Sequence, residues 1–178
     1  MAVERIPQPS VERIVDAVAH PLVVGVTPGQ SKLVALTAAV WAEAVGGTLH
    51  FAYVDAERVL DREFADGSVR HSSISPDADD DSWLLRRQDL HDQLSATLSG
   101  HTVRWELHYL AGRADRAITH LARAVDASAI VVGARRPVHG ERLREFLATS
   151  LGAQLARHQH RPVIAVPVEV VDWKHQVQ

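Results

Sequence analysis

The sequence predicts an α/β protein in which five parallel strands form an open sheet, with helices covering both faces. Two observations predict this fold. Five apolar runs rich in Val, Ile and aromatic residues have the length of buried strands. Segments with helical periodicity lie between them, in the order β-α-β-(loop)-α-β-α-β-α-β. The 178 residues amount to about one domain.

The predicted strands share an apolar, largely β-branched composition. They are Leu22–Val26, Thr48–Val54, Val103–Leu110, Ala129–Val132 and Val163–Val166. Strands that alternate with helices form parallel sheets with right-handed crossovers, so we expect all five strands in one sheet.

The first predicted helix spans Ser31–Val45 and stops at Gly46-Gly47, a strong helix-stop signal. Its apolar positions near one face are Leu33, Leu36, Val40, Trp41, Ala44 and Val45. A weaker helix spans Trp83–Leu98, with apolar positions Leu84, Leu85, Leu90, Leu94 and Leu98.

Two further helices are predicted in the second half of the chain. One spans Asp115–Val125 with Asp115 as its N-cap, and its apolar residues are Ile118, Leu121, Ala122 and Val125. The other spans Glu141–His158, with Leu143, Phe146, Leu147, Leu151 and Leu155 at helical spacing.

Three segments lie outside the predicted α/β domain of residues 21–167. Residues 1–20 form an N-terminal extension in which Ser10 caps a short amphipathic helix. Residues 55–82 form a long polar loop, of the kind that serves as a lid or a disordered insertion. Residues 168–178 form a tail in which Val170, Val171 and Trp173 favour a contact with a partner or with the domain itself.

Composition excludes several classes of protein. Cysteine is absent, which excludes disulfides, thiolate metal sites and a Cys nucleophile. A net charge of -3 gives no general attraction to nucleic acid or to anionic membranes. No stretch has the roughly 18 apolar residues that span a bilayer, and no signal peptide is visible. We therefore expect a cytoplasmic protein without nucleic-acid or membrane partners.

The candidate ligand site lies where the first and fourth strands end. In open α/β sheets, ligands bind beyond the carboxyl ends of the strands, where the strand order reverses. The loop that begins at Gly133 and ends at Gly140 carries Arg135 and Arg136, and Thr149-Ser150 follows within helical pattern. Guanidinium groups, hydroxyls and free N–H groups suit a phosphate-bearing ligand. A plain surface loop with solvated arginines explains the same residues.

The sequence lacks the motifs of the common catalytic sites. It has no phosphate loop of the G-x-x-x-x-G-K-[ST] type, no G-x-S-x-G elbow and no H-E-x-x-H helix. His50 and His108 lie within predicted strands, where we interpret them as satisfied or edge-exposed residues. We predict no metal site and no acid–base pair, hence no enzyme, although slow ATP hydrolysis stays open.

Four stretches resemble the universal stress protein family over about residues 21–167. Pro21–Val26 is similar to its first strand, and Ala111–Ile118 to its glycine turn before the third helix. Ala129–Arg135 is similar to the strand and loop that open its nucleotide motif, and Leu155–Pro167 to its last helix and strand. The resemblance implies a Rossmann-like sheet of strand order 3-2-1-4-5, and homodimers paired through the last strand.

The resemblance also implies an adenine-nucleotide site. The motif of the ATP-binding members, G-2x-G-9x-G-[ST], matches only partly. Gly133 matches the first glycine, Ser150 matches the hydroxyl residue, and Leu151 follows it. Arg136 and Thr149 stand at the other two glycine positions, with Gly140 as a substitute for the second.

The remaining site positions of the family fall on the strand ends. Val54 and Val132 match apolar contacts of the nucleotide, and Val26 closes the first strand. Thr27 stands where the family has an acidic residue, and a hydroxyl is a weaker acceptor for a ribose than a carboxylate. We expect weakened or altered binding of ATP or another adenine nucleotide. The alternative is a dimeric interaction module of the same fold that binds an unknown protein partner and no nucleotide.

Overall fold

A computed structural model of the protein describes residues 10–74, 82–134 and 150–168. Within these residues the strands are β1 Leu22–Gly25, β2 Leu49–Asp55, β3 Arg58–Glu63, β4 Val69–Ser73, β5 Trp105–Ala111, β6 Ala129–Ala134 and β7 Val163–Pro167. The α-helices within these residues are α1 Leu33–Val45, α2 Ser82–Thr97, α3 Ala114–Ala124 and α4 Leu151–His158. Three predicted features lie outside the described residues. They are the part of the helix Glu141–His158 that precedes residue 150, the Asp residues of 77–81, and the tail from residue 169.

The main sheet has five parallel strands in the order β5-β2-β1-β6-β7. Counted among these five strands alone, that order is 3-2-1-4-5, so the predicted fold is confirmed. The strand order reverses beside β1, whose neighbours are β2 and β6. The described part of the chain contains no helix that is long and apolar enough to cross a membrane.

The sheet is buried on both faces because helices cover each of them. Residues that alternate along each strand point to opposite faces. Val24 and Phe51 pack on the α1 side, and Val23 and Ile130 pack on the α3 side; all four are fully buried. Strands buried on both faces account for the continuous apolar runs in the sequence.

The buried face of α1 differs from the predicted one. Small residues and one valine face the sheet: Val34, Ala35, Ala38, Ala39 and Ala42. Leu33, Val40 and Trp41 are about half exposed instead. Alanines without long side chains let the helix lie close to the sheet. Helix α2 shows the same effect at its start, where Leu84 and Leu85 are exposed, whereas Leu90, Leu94 and Leu98 are buried as predicted.

An antiparallel hairpin occupies most of the segment that the sequence predicted as a long polar loop. Strands β3 and β4 pair with each other and form a separate two-stranded sheet. Gly67 forms the turn with φ +83°, close to Leu121 and Ala124 of α3, where a side chain would clash. The Asp66-Gly67 pair is the usual hairpin-turn signal, but the flanking residues are too polar to reveal strands.

Two predicted helix starts also differ. After residue 10, the N-terminal extension has a single 3-10 turn, Val11–Arg13, capped by Ser10, and no longer helix within the described residues. Val11, Ile14 and Val18 are exposed, so that stretch lacks the packing that would sustain a helix. Arg113, not Asp115, is the N-cap of α3.

Candidate functional site

The carboxyl ends of β2, β1 and β6 meet at one edge of the sheet. Gly25 pairs with Ala52, and Val24 pairs with Val131, so the next positions along each strand lie side by side. This register sets Val26 level with Gly133, and Val54 one position beyond Val26. The structure therefore brings together three residues that the sequence assigned to the site. Val26 is buried and Val54 is half-buried.

Helix α4 begins directly over β6. Leu151 packs near Gly25, and Gly152 lies against Val132, which is itself buried. A Cβ at Gly25 would lie 3.3 Å from Val132 Cγ1 and 3.9 Å from Leu151 Cδ2. These contacts hold the N-terminus of α4 at the edge of the sheet where β1 and β6 end.

Its sequence context indicated that Ser150 lies inside a helix. In the structure it is instead the N-cap of α4. Its backbone is extended, and its hydroxyl accepts a hydrogen bond from the Ala153 N–H at 3.3 Å. A serine that accepts at an N-cap keeps its own O–H proton free to donate. The first N–H groups of a helix have no partner within the helix, and such groups bind anions.

Gln30 occupies the space above Gly133. Its Oε1 accepts a hydrogen bond from the Thr27 N–H at 3.0 Å, which holds the carboxamide across the end of β1. A Cβ at Gly133 would displace the Gln30 carboxamide and crowd Val34 and Val168, so the site is packed around the absence of a side chain. The sequence places Gln30 in the loop after the first strand that borders the site, but it does not reveal that the side chain reaches Gly133.

The β1–α1 turn also borders a small cavity beside Gln30. Its volume is about 20 Å³, and Thr27, Lys32 and Leu94 are among its lining residues. A volume of that size holds about one water molecule and no larger ligand. Four predicted site residues, Arg135, Arg136, Gly140 and Thr149, lie outside the described residues. The described part of the chain thus forms one wall of the candidate crevice.

A buried polar network closes the β2 side of this edge. The Asp55 carboxylate, 3% exposed, accepts hydrogen bonds from Tyr109 Oη at 2.5 Å and from Arg86 Nη1 at 2.6 Å. Its other oxygen accepts the Glu57 N–H at 2.9 Å. Burial and the bond to Asp55 raise the pKa of Tyr109 well above its usual range. The network connects α2 to the sheet, and both oxygens of the Asp55 carboxylate already accept hydrogen bonds.

A second polar cluster lies on the α3 face of the sheet, on β2 and β5. His50 Nδ1 and His108 Nε2 are 3.0 Å apart, and Glu106 Oε2 lies 3.7 Å from each of them. The two imidazoles are mostly buried, whereas Glu106 is exposed. Two imidazoles and a carboxylate are all ligands of transition metals. The sequence analysis interpreted the two histidines separately and gave no sign that they lie together with Glu106.

The sequence and the fold were compared with those of known proteins. The sequence profile of the universal stress protein family matches residues 19–167. A comparison with curated protein sequences gave no match. A universal stress protein from Archaeoglobus fulgidus superposes with a TM-score of 0.58 at 18% identity, over 84% of this chain and 94% of that one.

Two further solved structures contain nucleotides. A universal stress protein in complex with cAMP superposes with a TM-score of 0.56 at 21% identity, covering 85% of this chain and 99% of that chain. The Archaeoglobus fulgidus protein in complex with dAMP has a TM-score of 0.55 at 18% identity, covering 84% of this chain and 98% of that chain. At these identities the superpositions establish a shared fold. Because the family profile also spans most of the sequence, the chain belongs to the universal stress protein family.

Proposed function

We propose that this protein is a regulatory universal stress protein that binds an adenine nucleotide, such as ATP, AMP or cAMP, where β1 and β6 end. The observation that carries the proposal is the position of the α4 N-terminus, capped by Ser150 and held against Val132 at that edge. Related folds with cAMP and with dAMP support the choice of ligand.

The phosphate end of the nucleotide would lie at the start of α4. Backbone N–H groups at a helix N-terminus and the positive end of the helix dipole favour an anion there. The Ser150 hydroxyl would donate to a phosphate oxygen while it still accepts from Ala153. Arg135 and Arg136 follow β6 in the sequence and would supply charge at the same end.

The nucleoside end would lie over β1 and β2. Val54 packs on the α3 side of the sheet, the side on which α4 also lies, and offers an apolar contact for a purine ring. Thr27 is exposed and offers a hydroxyl to the ribose, in place of the carboxylate that the ATP-binding members have. Since neutral hydrogen bonds are weaker than charge-assisted ones, we expect modest affinity.

Gln30 must move for a ligand to reach the backbone at Gly133. Leaving Thr27 would cost the carboxamide one hydrogen bond, a net loss of roughly 0.5–1.5 kcal/mol. That cost is equivalent to a two- to tenfold loss of affinity. Gln30 therefore acts as an internal competitor of the nucleotide.

A binding role is favoured over catalysis at this edge. Phosphoryl transfer needs a positioned nucleophile as well as charge neutralisation. Among the described residues at the strand ends, Asp55 is the nearest carboxylate in sequence to the site residues, and its oxygens are engaged by Arg86, Tyr109 and the Glu57 N–H. We therefore propose regulation of a stress response through ligand-dependent contacts.

The second candidate is a dimeric interaction module that binds no nucleotide. The carboxamide of Gln30 beside Gly133 favours it, because the side chain lies across the strand end at which a ligand would bind. In this proposal, homodimers pair through β7, which lies at one edge of the sheet. Such a protein would act through its surfaces on a protein partner.

Calorimetric titration of the nucleotide-stripped protein with ATP, AMP and cAMP separates the two proposals. We expect binding that weakens in Ser150→Ala and tightens two- to tenfold in Gln30→Ala. Gln88→Ala is the matched control, because Gln88 is exposed on α2 and bonds only Asp92 there. Thr27→Asp should tighten binding further by restoring a carboxylate.

The negative result is equally informative. If wild type, Gln30→Ala and Thr27→Asp all give no heat and no thermal stabilisation with any of the three nucleotides, the binding proposal is wrong. The interaction module then stands, and analytical ultracentrifugation of the wild type against a variant lacking residues 168–178 tests its dimer.

A further inference from the structure

The cluster on the α3 face of the sheet has the composition and spacing of a metal site. His50 Nδ1, His108 Nε2 and Glu106 Oε2 form a triangle with sides of 3.0, 3.7 and 3.7 Å. The point equidistant from three such atoms lies about 2.0 Å from each, which matches the Zn–N and Zn–O distances of about 2.0–2.2 Å found in proteins. The distances among the three atoms therefore allow one ion to contact all of them.

We propose that His50, Glu106 and His108 bind a Zn²⁺ ion, a function that is independent of the nucleotide crevice. Two imidazoles and one carboxylate form the ligand set of several zinc sites that keep a fourth position for water. Hard cations such as Mg²⁺ and Ca²⁺ prefer oxygen ligands, so the two ring nitrogens favour zinc or a similar transition metal.

The register of the sheet builds the triangle on a rigid surface. His50 and Glu106 pair directly across β2 and β5, and His108 lies two residues further along β5 on the same face. Neighbouring parallel strands hold the backbone of these positions through hydrogen bonds, and burial restricts the two imidazoles, so binding would mainly order the exposed Glu106 side chain.

The protonation state of the two histidines suits a cation. Burial lowers the pKa of His50, and burial together with the neighbouring His50 lowers the pKa of His108. Neutral imidazole is the form that ligates metals. One of the facing nitrogens must carry the proton of their mutual hydrogen bond, and that proton moves to the other nitrogen of the same ring when the ion binds.

The charges around the cluster and its exposure permit a cation to enter. Glu106 and Asp66 act electrostatically on His108 as negative charges, and Arg87 opposes them as a single positive charge. The Glu106 side chain is 66% exposed, whereas those of His50 and His108 are 12% and 15% exposed. An ion can therefore reach the nitrogens from the side of the carboxylate.

Competition with a chromophoric chelator tests the proposal on metal-stripped, tag-free full-length protein, with Zn²⁺ as the probe. We expect one Zn²⁺ per chain at this site, and a loss of affinity of at least about tenfold in His50→Gln, His108→Gln and Glu106→Gln. Because Glu106 is exposed, Glu106→Gln tests ligation even if a histidine variant fails to fold. His101→Gln is the matched control, since His101 also contacts a carboxylate, Glu43, at 3.2 Å but lies outside the cluster.

Substitution by Co²⁺ adds a readout that follows the ligands themselves. We expect visible absorption bands of a four-coordinate ion in wild type and in His101→Gln, and a changed spectrum in Glu106→Gln. The proposal is overturned if wild type binds no Zn²⁺, if a folded Glu106→Gln binds as tightly as wild type, or if His101→Gln loses as much affinity as the cluster variants.

Discussion

Removal of the Asp55 carboxylate should lower the free energy of unfolding more than a substitution at an exposed residue does. The side chain is 3% exposed and accepts hydrogen bonds from Tyr109, Arg86 and the Glu57 N–H. These partners belong to β5, α2 and the turn before β3. In Asp55→Ala, three donors therefore lose their acceptor at once.

The three donors differ in the free energy that they lose with the Asp55 acceptor. Tyr109 is 7% exposed, and a buried hydroxyl without an acceptor costs about 1–3 kcal/mol. The Arg86 side chain is 35% exposed, so water screens and solvates it, and its ion pair counts for about 1 kcal/mol or less. With about 1 kcal/mol for the backbone bond to Glu57, we expect a loss of about 2–5 kcal/mol in the free energy of unfolding.

Urea denaturation followed by circular dichroism measures this loss. A destabilisation of 3 kcal/mol corresponds to a fall in Tm of about 6–12 °C for a domain of this size. Asp61→Ala is the matched control, because Asp61 is exposed and accepts only from Ser72 among the described residues. It should change stability by no more than about 0.5 kcal/mol. Equal effects of the two substitutions, or a loss below about 1 kcal/mol in Asp55→Ala, would refute the role of the network.

Three further substitutions or additions have defined outcomes. Gly133→Ala should lower the free energy of unfolding by about 1–3 kcal/mol, because its Cβ would meet Gln30, Val34 and Val168. Gly100→Ala is the control, since nothing lies within 4 Å of a Cβ there, and a thermal melt should show no such loss. Bonds from the Thr102 N–H and from His101 lower the pKa of Glu43, so its contribution is complete above its ordinary value of 4.5 and is lost as pH falls below it. The difference in Tm between wild type and Glu43→Gln should therefore shrink from about pH 6 to about pH 3, and a constant difference would contradict the assignment. Zn²⁺ at a hundredfold excess over its Kd should stabilise the wild type by about 2.7 kcal/mol, or about 5–10 °C in Tm, and should leave the melt of Glu106→Gln much less shifted.

The main sheet was predictable because burial on both faces leaves a continuous signal in the sequence. Runs such as Leu22–Val26 are apolar at every position, and the observed strand β1 lies within that run. The face of α1 was not predictable in the same way. Periodicity selects the largest apolar residues, but the sheet accepts Ala38 and Ala42, and it leaves Val40 and Trp41 half exposed. Close packing at the sheet favours small volume over hydrophobicity, and the sequence pattern carries no direct sign of that preference.

The hairpin was missed because its residues are polar. Strands β3 and β4 form a two-stranded sheet with several exposed positions, so the hydrophobic alternation that indicates a strand is weak. Asp66-Gly67 was the one strong local signal, and it marks the turn between the strands. The hairpin depends on tertiary contacts, among them the His120 hydrogen bond to the Phe64 carbonyl at 3.0 Å.

The candidate sites depend on which strands become neighbours, and that information is non-local. Gly133 is recognisable in the sequence, but the side chain beside it is Gln30, more than 100 residues earlier, held in place by Thr27. His50 and His108 are 58 residues apart and become neighbours only because β2 pairs with β5 in one register. A shift by one residue would move the side chains of one strand to the opposite face and separate the two rings. The same backbone pairing that buries Phe51 on one face therefore also sets the distance between the two imidazoles on the other, so the geometry of the proposed zinc site is a consequence of how the core is packed.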